Sequence, residues 1–123
     1  MTNQGRLPKE FRDRAKKFAS STIRLFVTLP KGRDEVRILG KQLLRSGTSV
    51  AAHVREASRA RSDEEFTSKL GGALQEADES ALWLELLRED CGIVPAGTLP
   101  MEKEADELMA IMTTMINRTK GKG

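Results

Sequence analysis

Residues 62–92 read SDEEFTSKLGGALQEADESALWLELLREDCG. Phe66, Leu70, Ala73, Ala77, Ser80, Leu84 and Leu87 recur at steps of four and three, which places them along one side of an α-helix. Leu74 and Ala81 flank that stripe, and Arg88 closes the flanking row with a charge. Ser62 followed by Glu65 is a capping box, and Cys91-Gly92 is a glycine stop. These signals predict a helix over residues 63–91. Gly71 and Gly72 lie inside it and together cost about 2 kcal/mol relative to alanine. Close packing against a neighbouring helix of small residues is the expected compensation.

Working outward, the same pattern predicts three more helices. Residues 34–60 carry Val36, Leu39, Leu43, Ser46, Val50, His53 or Val54, and Ala57 in one stripe, with Asp34 as N-cap. Gly40, Ser46, Gly47, Ser49, Ala51 and Ala52 are the small residues that let a neighbour approach. Residues 8–29 open at Pro8 and carry Phe11, Ala15, Phe18, Thr22, Leu25 and Leu29, widened by Ala19, Ile23 and Phe26. Leu29-Pro30-Lys31-Gly32 ends that helix, because proline cannot continue it. Residues 100–117 carry Met101, Ala105, Leu108, Met112 and Met115, with Ile111 and Ile116 alongside and Thr98 as candidate cap. The connections are short, so sequential helices are antiparallel neighbours. The expected fold is all-α, a single antiparallel up-down-up-down four-helix bundle spanning residues 1–123.

Leu, Ala, Glu, Lys and Arg dominate the chain, and tyrosine is absent, which is helical rather than β chemistry. No apolar run approaches the roughly 18–20 residues of a membrane span, and no apolar stretch follows the first charges as a secretory signal would require. One cysteine, Cys91, allows no intrachain disulfide and favours a cytoplasmic setting. One histidine, His53, and no Glu-x-x-His motif argue against a metal centre, and no cofactor or small-molecule substrate is expected. Charge is uneven. Residues 1–33 hold nine Lys/Arg against two acids, whereas residues 62–92 hold two against nine. A basic first half of this kind points to an anionic partner.

The most distinctive string is Gln42-Leu43-Leu44-Arg45-Ser46-Gly47-Thr48-Ser49-Val50-Ala51-Ala52-His53-Val54-Arg55-Glu56-Ala57. It continues through Ala60-Arg61-Ser62, Glu65-Phe66, Lys69-Leu70, Gln75-Glu76-Ala77-Asp78-Glu79-Ser80 and Trp83-Leu84-Glu85-Leu86-Leu87. Together these resemble the bacterial intervening-sequence proteins of large-subunit ribosomal RNA. The resemblance implies a four-helix bundle assembling into a ring-like homopentamer. It also implies similarity to accessory proteins of diversity-generating retroelements, which share that architecture and bind nucleic acid through a basic surface. Two positions depart from the pattern: His53 stands where many relatives carry Asn, and Val54 where they carry Tyr or Ile.

Three groups of residues are candidates for function. Arg12, Arg14, Lys16, Lys17 and Arg24 form the basic side of the first helix, suited to RNA or DNA phosphates through counterion release. The alternatives are a solvated face or pairing with the acidic third helix of another subunit. Arg45, Ser49, His53 and Glu56 share one side of the second helix. Antiparallel pairing about a turn near Arg61 sets Arg45 against Asp78 or Glu79, and Glu56 near Lys69. With Glu76 these form a polar seam that fixes helix register, paired because lone buried charges are costly. A triad along one helix, Ser49-His53-Glu56, is poor geometry for catalysis, so a non-enzymatic role is expected. Trp83, Leu86 and Met109 lie beside the main stripes and are candidate subunit contacts; a wide core is the alternative. The expected function is an oligomeric nucleic-acid-binding protein. A protein-interaction scaffold is the alternative.

Overall fold

Proline and glycine set the corners. Leu29, held extended before Pro30 with ψ 146°, ends the first helix. Gly92, at φ +72°, turns the chain after the third, where the Cys91 and Ile93 N–H groups reach back to the Leu86 and Leu87 carbonyls. The structure is a computed structural model and describes residues 5–121. Between the corners run α1 (Lys9–Thr28), α2 (Asp34–Ser58), α3 (Asp63–Glu89) and α4 (Pro95–Gly121). Each helix packs on its neighbour in sequence, and α1 closes on α4 with the sparsest pairing. This is the expected four-helix bundle.

The stripes form one core. Phe18, Leu43, Leu70, Leu84, Leu87, Leu108 and Met112 are fully buried. Each such side chain contributes roughly 1.5–3 kcal/mol by leaving water. Ser46 and Ser80 meet in this core at 2.7 Å and join α2 to α3. Ile23, expected to widen the first stripe, is instead 48% exposed.

Several local expectations need correction. Asp34 is the first residue of α2, not its cap. Arg33 holds the cap position, and Asp34 pairs with Arg37 at 2.9 Å. Ser62 does cap α3, accepting from the Glu65 N–H at 3.0 Å. Glu65 returns its carboxylate to the Arg61 N–H, one residue earlier than the usual box. The fourth helix starts at Pro95 rather than residue 100. Pro100 sits inside it and removes one bond, to the carbonyl of exposed Ala96, where water can substitute. Thr98 is no cap but a fully buried first-turn residue. Finally, the glycines of α2 accommodate α1, whereas Ser46 meets Ser80 of α3 and Gly72 of α3 lies against His53 rather than against a small residue. Gly47 receives Thr22, and Gly40 receives Leu29 and Phe26.

Candidate nucleic-acid interface

The close approach at Gly47 fixes α1 against α2 and brings two rows of cations together. Arg12 and Lys16, one turn apart on α1, face Arg55 in the last turn of α2 and Arg59, the residue that caps its C-terminus. They line a groove of about 300 Å³, with Asp13, Ala51, Val54 and Ser58 along it. The short side chain of Ala51 keeps the groove open. Arg12 Nε donates to the Leu7 carbonyl at 3.2 Å, which holds its guanidinium beside the groove. Asp13 is the lone carboxylate of the lining. Its oxygen accepts from Lys9 Nζ at 2.7 Å, and this bond, helped by Arg12 and Lys16, holds the carboxyl below the usual range against the opposing effect of burial. Four cations therefore outweigh one anion in a concave surface, where field lines concentrate. Further hollows share Arg59, one beside Ala52 and Glu56, another beside Gly5 and Arg6.

The other basic residues of α1 point elsewhere. Arg14 faces α4. Its Nε and Nη2 grip the two oxygens of Glu104 at 3.0 and 2.6 Å, and Nη2 also meets Glu107 at 2.9 Å. The hydrogen bond to Glu104, then that to Glu107, pushes its pKa further up, and burial opposes them. Arg14 is thus a clasp closing the sparse α1–α4 seam. Lys17 lies beside it in the α1–α4 groove with Ser21, Phe18, Pro100 and Met101. Arg24 is exposed. Of the five expected phosphate-binding residues, only Arg12 and Lys16 share the α1–α2 groove. Arg55 and Arg59 were missed by sequence reasoning. Their i,i+4 spacing was a signal, but only the α1–α2 register shows that they stand opposite Arg12 and Lys16.

The polar seam between α2 and α3 is assembled. Arg45 lies 3.9 Å from Glu76 and 3.5 Å from Glu79, and Lys69 lies 3.3 Å from Glu56. Asp78 is exposed and not paired with Arg45. His53 Nδ1 is 2.9 Å from the Ser49 carbonyl. A carbonyl only accepts, so Nδ1 carries the proton. The far side of the ring lies against Gly72, where a Cβ would stand 2.7 Å from Cδ2.

Trp83, Leu86 and Met109 are all half-buried, and Trp83 and Met109 pack against the core. Trp83 Nε1 is buried with no hydrogen-bond partner among the described residues. Among the described residues, no helix is long and apolar enough to cross a membrane. Nor does any group of three or more His, Cys, Asp or Glu residues there stand where it could hold a metal ion.

Fold and site together define an antiparallel four-helix bundle with a cationic groove between its first two helices. The chain belongs to the 23S rRNA-intervening sequence protein family, whose model matches residues 9–114. It is similar to the crystal structure of a protein of unknown function from the S23 ribosomal protein family of Bacteroides thetaiotaomicron VPI-5482. The two are 33% identical, with a TM-score of 0.79 covering 86% of this chain and 97% of that one. No curated protein matches this chain.

Proposed function

We propose that this protein is a non-catalytic, cytoplasmic nucleic-acid-binding bundle that works as a homo-oligomer. The observation that carries the reading is the groove in which Arg12 and Lys16 face Arg55 and Arg59. Phosphates are its natural occupants, because each contact releases condensed counterions without reading a base. No aromatic side chain lines the groove, so stacking on single-stranded bases is not its mode. A ring-like homopentamer, as the family resemblance implies, would repeat the groove and add weak contacts into useful avidity. The non-catalytic part of the reading is supported by His53. One of its nitrogens is committed to the Ser49 carbonyl and its ring lies against Gly72.

The test is a salt titration of binding to fragments of 23S ribosomal RNA and to DNA of equal length. The expected result is affinity that falls linearly with log salt and varies little with sequence. Replacing Arg55 and Arg59 together with Gln should lower the slope by roughly 1.4–1.8, at about 0.7–0.9 per lost contact. Binding absent at low salt, or unaltered by that replacement, overturns the reading.

A further inference from the structure

Away from the cationic groove, the bundle carries two apolar surfaces ringed by opposite charge. The first lies where α1 ends and α2 begins. Phe26, Leu29, Pro30 and Val36 wall a groove of about 220 Å³, rimmed by Lys31, Arg37 and Lys41, with no carboxylate in its lining. Lys31 Nζ reaches the Val27 carbonyl at 3.3 Å and Arg37 meets Asp34 at 2.9 Å. Both contacts are exposed and exchange readily with a partner's. Val27 and Ile38, beside these residues in sequence, are 61% and 53% exposed.

The second surface is the outer side of α3. Leu82 is 46% exposed there. Asp78, Glu85 and Glu89 are exposed around it, at spacings of four, three and four that put them on one side of the helix. Leu86 continues the row and is half-buried. One surface is an apolar hollow with a basic rim; the other is an apolar knob with an acidic rim.

The two also stand at the same height on the bundle. Facing residues of α2 and α3, such as Ser46 with Ser80 and His53 with Gly72, have numbers summing to 125–126. Val36 to Lys41 are therefore level with about residues 84–90 of α3, a span that holds Glu85, Leu86 and Glu89 and begins about half a turn beyond Leu82. Subunits related by rotation about an axis parallel to their helices meet at equal height.

We propose that a second copy of this chain covers the α1–α2 groove, with Leu82 and Leu86 of its α3 against the apolar walls and Glu85 and Glu89 against Arg37 and Lys41. The contact is head-to-tail. Each subunit gives its acidic face to one neighbour and its basic groove to the other, and a closing rotation makes a ring. The inference rests on the self-association proposed above and names the surfaces that carry it.

The experiment measures assembly mass against concentration for the full chain and three variants. One carries Arg37→Glu and Lys41→Glu, one carries Glu85→Lys and Glu89→Lys, and the third carries all four. All four positions are exposed, and helical circular dichroism confirms that each variant is folded. Each double variant should need at least about tenfold more protein to assemble, because like charges then meet across the contact. The quadruple variant, with both signs reversed, should recover assembly. If the native chain assembles and the double variants assemble equally well, or the quadruple variant stays apart, these surfaces are not the contact. If the native chain is monomeric at every concentration, the self-association reading falls, and this inference falls with it.

Discussion

The ring of His53 on α2 rests on the bare Cα of Gly72 on α3; a Cβ there would come within 2.7 Å of His53 Cδ2 and 3.0 Å of Nε2. The adjacent Gly71 meets nothing within 4 Å of its own would-be Cβ. Two neighbouring glycines in one helix therefore have opposite reasons to be tested. Gly72→Ala gains helix propensity but must displace the imidazole and strain its bond to the Ser49 carbonyl. A net loss of about 1–2 kcal/mol is expected. Gly71→Ala meets no obstacle and should stabilise by about 0.5–1 kcal/mol. Urea denaturation of the two variants checks the pair. Equal and same-signed changes would show that the His53 contact does not constrain α3.

Gly47 poses the corresponding question for α1. Its Cα faces the Thr22 side chain, so an added methyl group collides with Thr22 rather than with solvent. Gly47→Ala should destabilise by about 1–3 kcal/mol. It should also widen the α1–α2 groove. RNA affinity of the folded variant is then expected to fall, although no charge has been removed.

Arg14 separates stability from binding. Its two bonds to Glu104 and one to Glu107 tie α1 to α4, and its side chain is 38% exposed, so solvent screens part of their worth. Arg14→Gln should cost about 0.5–1 kcal/mol in thermal or urea unfolding and leave RNA affinity near native. Lys16→Gln should do the reverse. Its ammonium lines the α1–α2 groove, and loss of one phosphate contact lowers the salt slope by roughly 0.7–0.9. If Arg14→Gln weakens binding as much as Lys16→Gln, the α1–α4 side takes part in the interface.

Acid sensitivity should centre on the α3–α4 link. Arg88 Nε and Nη2 each lie 2.9 Å from an oxygen of Glu102. The Arg88 bonds hold the Glu102 carboxyl below its ordinary value, and burial opposes them. In the unfolded chain the carboxyl titrates at the ordinary, higher value. Between the two values the unfolded chain binds more protons, so stability falls as pH falls through that window. The contribution is fully present at neutral pH. Glu102→Gln should therefore lower stability at pH 7 and flatten the acid limb of a stability–pH curve. An unchanged acid limb would show that the pair carries no linkage.

Most of the fold was legible in the chain. The stripes from Phe11 to Leu29, Val36 to Ala57 and Phe66 to Leu87 are buried apart from half-buried Leu39, because amphipathic periodicity is a local property. Misses gathered where local rules compete with packing. Pro100 reads as a boundary, yet α4 continues through it, with Thr98 and Met101 both buried. The candidate site was half legible. Arg12 and Lys16 stood out by charge density, whereas Arg55 and Arg59 lie in a stretch that mixes cations with Glu56.

What the sequence by itself determined is four helices, the stripe each must hide, and their antiparallel order, since short connections leave few other ways to bury four apolar sides. The α2–α3 pairs Arg45–Glu79 and Glu56–Lys69 follow from that order, but tertiary structure alone decided which charges α1 meets. The height of α1 against α2 depends on Thr22 entering the gap at Gly47, and the closure of α1 on α4 gives Arg14 to Glu104. A basic residue's pattern says that it faces outward. Whether it ends beside a carboxylate or across a groove from another cation depends on the packing of a helix far away in the chain.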